Sequence, residues 1–338
     1  MPLTSHENII GFGGPTLDYH VHALADPNLD PTHEPGKKRD FTEADYPRYE
    51  ALLSRPKSYR THPGGNVTGN LTYLQVQGHD TGLCTVLGTD QEVSERILDH
   101  CNWMGIDTKY VLREEGYEPA ISMVQRGIDE NGELTPRMVR GRPRGPFPLG
   151  VYLTNKHIEA ALEGADSVVI ASTKSPELNE RILSLAGERK KFLNFGSSEL
   201  GDPLSAQTTA EVFNPDVVAL NDDELRALYP DEPNASIEKL GERLSRHAIW
   251  VLCTQGKKGL FLAHNGDLEQ ASLEFAPCGK IDASKIVNDL GAGDRAMAIT
   301  IDAYLKGVAP EKVPQLVAEG TLDVLQVAGA HEDLYPSR

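Results

Sequence analysis

The stretch Lys285-Ile286-Val287-Asn288-Asp289-Leu290-Gly291-Ala292-Gly293-Asp294-Arg295-Ala296 constrains this chain more than any other. An extended approach gives way to Gly-Ala-Gly, then a carboxylate, then an apolar run of helical period. That is the pattern of a loop entering a helix N-terminus. Small residues there let the backbone N–H groups of Gly291, Ala292 and Gly293 converge. These donors lack partners inside a helix and have its dipole behind them, so they form a seat for a phosphate or a developing oxyanion. Asp294, in the first turn beside that seat, is placed to take the proton of a hydroxyl attacking the same phosphorus. An anion hole with an adjacent base is what phosphoryl transfer needs from a protein.

Two plainer readings compete. Gly291 to Ala296 also fits the dinucleotide fingerprint G-x-G-x-x-A, but that motif opens a βαβ unit and is followed by an acidic residue about 20 positions later. Here the chain is nearly finished, which argues against it. The other is a tight turn before an acidic helix start, and only the rest of the chain can decide against that.

A net charge of −17 over 338 residues opposes non-specific nucleic-acid binding. No apolar run approaches the roughly 18 residues of a membrane span, and Met1–Ile10 has no basic segment leading into an apolar one, so no signal peptide is expected. Cys84, Cys101, Cys253 and Cys278 form no C-x-x-C pair, which fits free thiols in a cytoplasmic protein.

Along the chain, Asn8 to Gly14 reads as a buried strand ending in a glycine turn, followed by Pro15-Thr16-Leu17-Asp18. His20 and His22 alternate as metal-binding strand residues do. A metal-dependent hydrolase needs further ligands, and His157, His247 and His264 form no such series. Ala23 to Pro63 is Pro-rich and weakly periodic, too long for a plain connection, and reads as a lid excursion. Gly64-Gly65-Asn66-Val67-Thr68-Gly69-Asn70 then opens a helix reaching Gln77. A hairpin is predicted around Asp129-Glu130-Asn131-Gly132, and Arg137, Arg140, Arg142 and Arg144 beyond it form a basic loop that either holds an anionic group or is simply solvated. From residue 154 helices (Lys156–Glu163, Pro176–Lys190) alternate with near-continuous apolar runs (Ser167–Ala171, Lys191–Phe195, Val217–Leu220, Ile249–Cys253), as parallel strands buried on both faces require.

With these motifs in hand, Asn288 to Asp294 resembles the D-T-x-G-A-G-D signature of the ribokinase-like carbohydrate and nucleoside kinases, the PfkB family. Four further elements match in order. Gly13 to Asp18 is similar to the N-terminal G-x-x-x-x-D element, in the form seen in adenosine kinases. Gly64-Gly65 with Asn66 or Asn70 resembles G-G-x-x-x-N-x-A, although Asn70 stands one residue later than that pattern. Asn221-Asp222-Asp223-Glu224 resembles N-x-x-E, and Thr254-Gln255-Gly256-Lys257-Lys258-Gly259 resembles T-x-G-x-x-G. The sequence departs from the signature in Asn288-Asp289 and in Arg295, where a small residue is usual. An Arg at a helix N-terminus opposes the dipole; it either points into solvent or helps hold a phosphate.

The resemblance implies one α/β domain over residues 1–338, with a doubly wound, mostly parallel sheet and a small β lid from segments near 15–62 and 110–135. It implies ATP-dependent transfer of a phosphoryl group to a primary hydroxyl of a sugar or nucleoside. Asp294 would be the base and Gly291, Ala292 and Gly293 the anion hole. Asp18, Gly64, Gly65 and Asn66 or Asn70 would hold the acceptor. Asn221, Thr254, Gly256 and Gly259 would lie at the nucleotide, with Glu224 on Mg²⁺ through water. A monovalent cation such as K⁺ is implied near residues 287–289, and a homodimer through the lid edge is expected. The alternatives are a sugar- or nucleoside-binding pseudo-kinase and, further off, a hydrolase using His20 and His22.

Overall fold

Near-continuous burial along apolar strands sets the architecture. The computed structural model describes residues 6–21, 38–55, 59–89, 92–128, 134–141, 149–195, 203–264 and 290–324. Its strands are β1 (Asn8–Gly13), β2 (Thr16–Val21), β3 (Lys38–Asp40), β4 (Tyr59–Gly64), β5 (Asp80–Gly88), β6 (Val111–Glu114), β7 (Ala120–Ile128), β8 (Leu134–Gly141), β9 (Ser167–Ala171), β10 (Lys190–Asn194), β11 (Val217–Asn221), β12 (Trp250–Thr254) and β13 (Leu260–His264). Its helices are α1 (Tyr46–Leu53), α2 (Asn66–Val76), α3 (Glu92–Met104), α4 (Leu149–Tyr152), α5 (Asn155–Leu162), α6 (Pro176–Ala186), α7 (Pro203–Phe213), α8 (Asp222–Leu228), α9 (Ile237–Leu244), α10 (Ala292–Leu305) and α11 (Val313–Gly320).

Eight strands form one sheet in the order β13-β12-β11-β10-β9-β1-β5-β6. Every neighbouring pair is parallel except β12 and β13. Successive side chains on a strand face opposite ways, and both faces are covered. On one side Ile10, Phe12, Val168, Ile170, Val218 and Val251 pack with residues of α5, α6, α8 and α9. On the other Ile9, Val169, Phe192, Val217 and Leu252 pack with Tyr73 and Leu74 of α2, Met297 and Ile301 of α10, and Val317 of α11. This is the doubly wound α/β arrangement that the strand rhythm predicts.

Five more strands form a small mixed sheet in the order β3-β8-β7-β2-β4. Leu17, Tyr19, Ile121 and Met123 turn one face of it onto α1 and α3. The other face carries Thr16, Asp18 and His20. The expected boundaries shift in two places. Val111–Glu114 pairs in parallel with β5 at the edge of the large sheet, and Leu112 packs against that sheet's core, so of the expected segment 110–135 the small sheet takes Ala120–Ile128 and then Leu134–Gly141. The helix expected to reach Lys190 stops at Ala186, because the ladder with β9 already begins at Lys190.

The lid is tied by an ion pair between the buried Asp45 and the half-buried Arg39. Arg39 donates from Nη1 and Nη2 to the two carboxylate oxygens of Asp45 at 2.7 and 2.5 Å. The backbone N–H and hydroxyl of Thr42 each donate to Asp45 at 2.8 Å. Burial alone would raise the Asp45 pKa, but these hydrogen bonds outweigh it and hold the carboxyl at about 2. A folded-state pKa below the unfolded value of about 3.9 contributes about 2 kcal/mol of stability at neutral pH, and that contribution disappears as pH falls through the folded pKa. Asp45→Asn should therefore lower the denaturant midpoint at pH 7. The gap from the native chain should close between about pH 5 and about pH 2, and a gap constant across that range would contradict the assignment.

Candidate active site

Five parallel strands end along one edge of the large sheet, at Gly13, Ala171, Asn194, Asn221 and Thr254. Register aligns Gly13 and Asn194 with Ala171, and Asn221 with Thr254. Open α/β sheets bind ligands outside this carboxyl edge.

Helix α10 begins here. Gly291 caps it in the left-handed conformation at φ 81°, and among the described residues no side chain makes a cap hydrogen bond to its first turn. Gly293 is exposed, and a Cβ added to it would meet nothing within 4 Å. Among the described residues, none fills the space beside Gly293 in the first turn, which leaves room for an anion. Asp294 is half-buried and turned toward α2. A Cβ on Gly69 would stand 2.6 Å from Asp294 Oδ2, so only a glycine lets the two helices approach this closely. Asn194 donates from Nδ2 to Asp294 Oδ1 at 3.4 Å, and Asn66 donates from Nδ2 to Asn194 Oδ1 at 3.5 Å.

Asp18 lies on β2, 6% exposed, and accepts from the Thr16 hydroxyl at 3.1 Å. A Cβ on Gly64 would strike its Oδ2 at 2.2 Å. Gly65 is the N-cap of α2. Asn66 and Asn70 share a face of that helix but not an environment. Asn66 reaches Asn194, whereas Asn70 is fully buried, and among the described residues neither atom of its amide has a hydrogen-bond partner.

Asn221 and Glu224 form a capping box on α8: Glu224 Oε2 accepts from the Asn221 backbone at 2.9 Å, and Asn221 Oδ1 accepts from the Glu224 backbone at 2.8 Å. The box fixes the Glu224 carboxyl at the strand edge. Thr254 ends β12, and Gly256–Lys258 makes a single 3-10 turn closed by Gln255 N–H donating to the Gly259 carbonyl at 2.7 Å.

Arg295 follows neither of the two sequence-based alternatives. Its side chain is 16% exposed and lies over the Tyr73 ring of α2, 5.0 Å from the centroid, with Asp323 at 3.9 Å. His20 packs edge-on to His62 of β4 with centroids 5.0 Å apart. His22, the side chains of the 137–144 arginines and residues 287–289 lie outside the described residues. Among the described residues no cluster of three or more His, Cys, Asp or Glu could hold a metal ion, and no helix is long and apolar enough to cross a membrane.

Asn194 carries no motif, and Gly69 stands where the G-G-x-x-x-N pattern would have its Asn. The one available signal for Asn194 was a polar residue at the C-terminal end of an apolar strand, on the edge where such sheets bind ligands.

The sequence pattern described as pfkB family carbohydrate kinase matches residues 36–319. No curated protein matches the chain. Among solved structures, adenosine kinase from Schistosoma mansoni in complex with 2-fluoroadenosine superposes with a TM-score of 0.76 at 17% identity, covering 95% of this chain and 96% of that one. Adenosine kinase from Sinorhizobium meliloti gives 0.75 at 17% identity and 96% of each chain. Arabidopsis thaliana ribokinase complexed with ribose and ATP gives 0.64 at 17% identity, covering 97% of this chain and 95% of that one. At these identities the likeness is one of fold.

The contrast between the two asparagines is testable. Replacing an unpartnered buried amide by an apolar group of similar shape removes a desolvation cost, so Asn70→Leu should raise the unfolding free energy by about 1 kcal/mol. A drop in chemical-denaturation stability would show that Asn70 has a polar role.

Proposed function

The chain belongs to the pfkB family of carbohydrate kinases, and from that premise we propose that it transfers the γ-phosphoryl group of MgATP to a primary hydroxyl of a sugar or nucleoside. The observation that carries this reading is the uncapped start of α10 with Asp294 in its first turn. Donors with no side-chain cap and a carboxylate directly beside them match the two demands of the reaction.

Asp18 would accept from hydroxyls of the acceptor, since a carboxylate can take hydrogen bonds from two neighbouring hydroxyls at once. Gly64 and Gly65 bring backbone close to the same place, and Asn66 is the better-supported amide because Asn70 is sealed in the core. The acceptor oxygen attacks the γ-phosphorus as its proton passes to a carboxylate oxygen of Asp294. The bond from phosphorus to the bridging oxygen breaks and ADP leaves. Amides of Gly291, Ala292 and Gly293 would receive the charge spread over the non-bridging oxygens. Asn221, Thr254, Gly256 and Gly259, along the β11–β12 edge, would line the nucleotide. Glu224 would hold Mg²⁺ through water, and the ion supplies neutralisation of phosphate charge. Arg295, the feature that pointed to binding without turnover, packs on Tyr73 and lends that alternative no support.

ADP release with MgATP should be measured against nucleosides, hexoses, pentoses and phosphorylated sugars. One acceptor class should turn over. Asp294→Asn should cut kcat by about 10² to 10⁴, the range for losing a general base, with an unchanged melting temperature. Retained turnover in this variant would remove Asp294 from the chemistry. Gly69→Ala gives a second check, because alanine favours a helix by about 1 kcal/mol over glycine. It should still lower kcat at least about tenfold through displacement of the base; unaltered kcat would mean that the close approach has no part in catalysis.

A further inference from the structure

Asn194 is the polar residue at the centre of this edge that the proposed reaction leaves without a task. It ends β10, is 8% exposed, and its backbone sits between Ala171 of β9 and Ala219 of β11. Its amide faces two partners far away in sequence, Asp294 at 3.4 Å and Asn66 at 3.5 Å. The carboxylate dictates which way the amide points. An ionised Asp only accepts, so Nδ2 must face Asp294, and Oδ1 is then left to accept from Asn66. No other side chain of this length both donates on one side and accepts on the other: Asp lacks the donor, and Leu lacks both.

The two oxygens of the Asp294 carboxylate are therefore held differently. Oδ1 is directed to Asn194, while Oδ2 rests against the backbone of α2 at Gly69. Among the described residues, few charged side chains lie on the elements packed around the carboxylate. Helix α2 (NVTGNLTYLQV) contains no charged side chain, β10 presents Asn194 at this end with Lys190 and Lys191 at its opposite end, and on α10 Arg295 is turned onto Tyr73.

We propose that Asn194 is a positioning residue, which holds the ionised Asp294 in its working rotamer and links it through Asn66 to the seat of the acceptor. The inference rests on the kinase reading. Both contacts are long for N–H···O bonds, so each is a weak restraint alone, and the function lies in the link: movement of Asn66 against the acceptor is passed to the base. Binding and deprotonation of the acceptor are coupled by this bridge.

The test is the pH dependence of kcat and kcat/KM for the native chain, Asn194→Asp, Asn194→Ala, Asn66→Ala and the Asn194→Ala/Asn66→Ala double variant, on the acceptor the screen identifies. Asn194→Asp keeps the shape but sets a second carboxylate beside the base, and two such groups resist ionising together. Its acid limb should move up by about one pH unit or more, with kcat near neutrality down about tenfold or more. Asn194→Ala should lower kcat about tenfold, and the double variant should lose less than the product of the two single losses, because both remove one bridge. Thermal melts identify any variant that fails to fold, and Asn194→Ser then serves as the shorter polar replacement. A native acid limb and kcat in a folded Asn194→Asp, or multiplicative losses in the double variant, would overturn the bridge and leave the kinase reading standing. Absence of Asp294-dependent turnover in the native chain would overturn both.

Discussion

The site depends on the fit between α2 and α10. Both helices cover the same face of the large sheet, where Tyr73 and Leu74 of one share a core with Ala296, Met297 and Ile301 of the other. Three contacts fix their alignment: Gly69 against Asp294, Tyr73 beneath Arg295, and His79, just past α2, against Asp302 at 3.1 Å. The numbering rises in the same direction on both helices, so they run side by side with their N-termini at the same sheet edge. A glycine inside a helix costs about 1 kcal/mol relative to alanine. Gly69 is retained in a helix buried along most of its length, and the reason is local: any side chain there would displace the carboxylate. At this position helix stability is subordinate to the placement of Asp294.

Much of the frame was legible in the sequence because it is written in local periodicity. The apolar runs at 167–171, 217–220 and 250–253 are buried strands for the reason the pattern gives, which is that both faces of a parallel sheet are covered. The Gly-Ala-Gly-Asp turn is a helix start because small residues and an acidic first turn are local preferences too. What stayed hidden depends on distant partners. Asn66 and Asn70 lie one turn apart on a single helix face, so periodicity treats them alike; burial under neighbouring elements separates them. Asn194 meets a residue 100 positions away, and nothing near it in the chain announces that contact. Arg295 was ambiguous for the same reason, since its resting place is a ring on another helix. The edge strand β6 was assigned to the lid because a short polar strand carries no mark of which sheet it will join.

The alignment of α2 and α10 also bears on the charge of the molecule. A chain with net charge −17 repels the polyanion that its proposed reaction requires, and scattered surface lysines would be screened within about 10 Å at ordinary ionic strength. The described site meets this difficulty with few cationic side chains. Helix α10 presents an uncapped N-terminus, and α2 starts at the same edge from a glycine without a side-chain cap. Each helix start carries roughly half a positive charge in fixed backbone dipoles. Such dipoles need no ordering when an anion arrives, and they hold little attraction for anions elsewhere on the surface. The acidic residues at the start of α8, Asp222, Asp223 and Glu224, complement the dipole of their own helix and would repel phosphate directly, a repulsion that the Mg²⁺ of the proposed reaction, held by Glu224 through water, would offset.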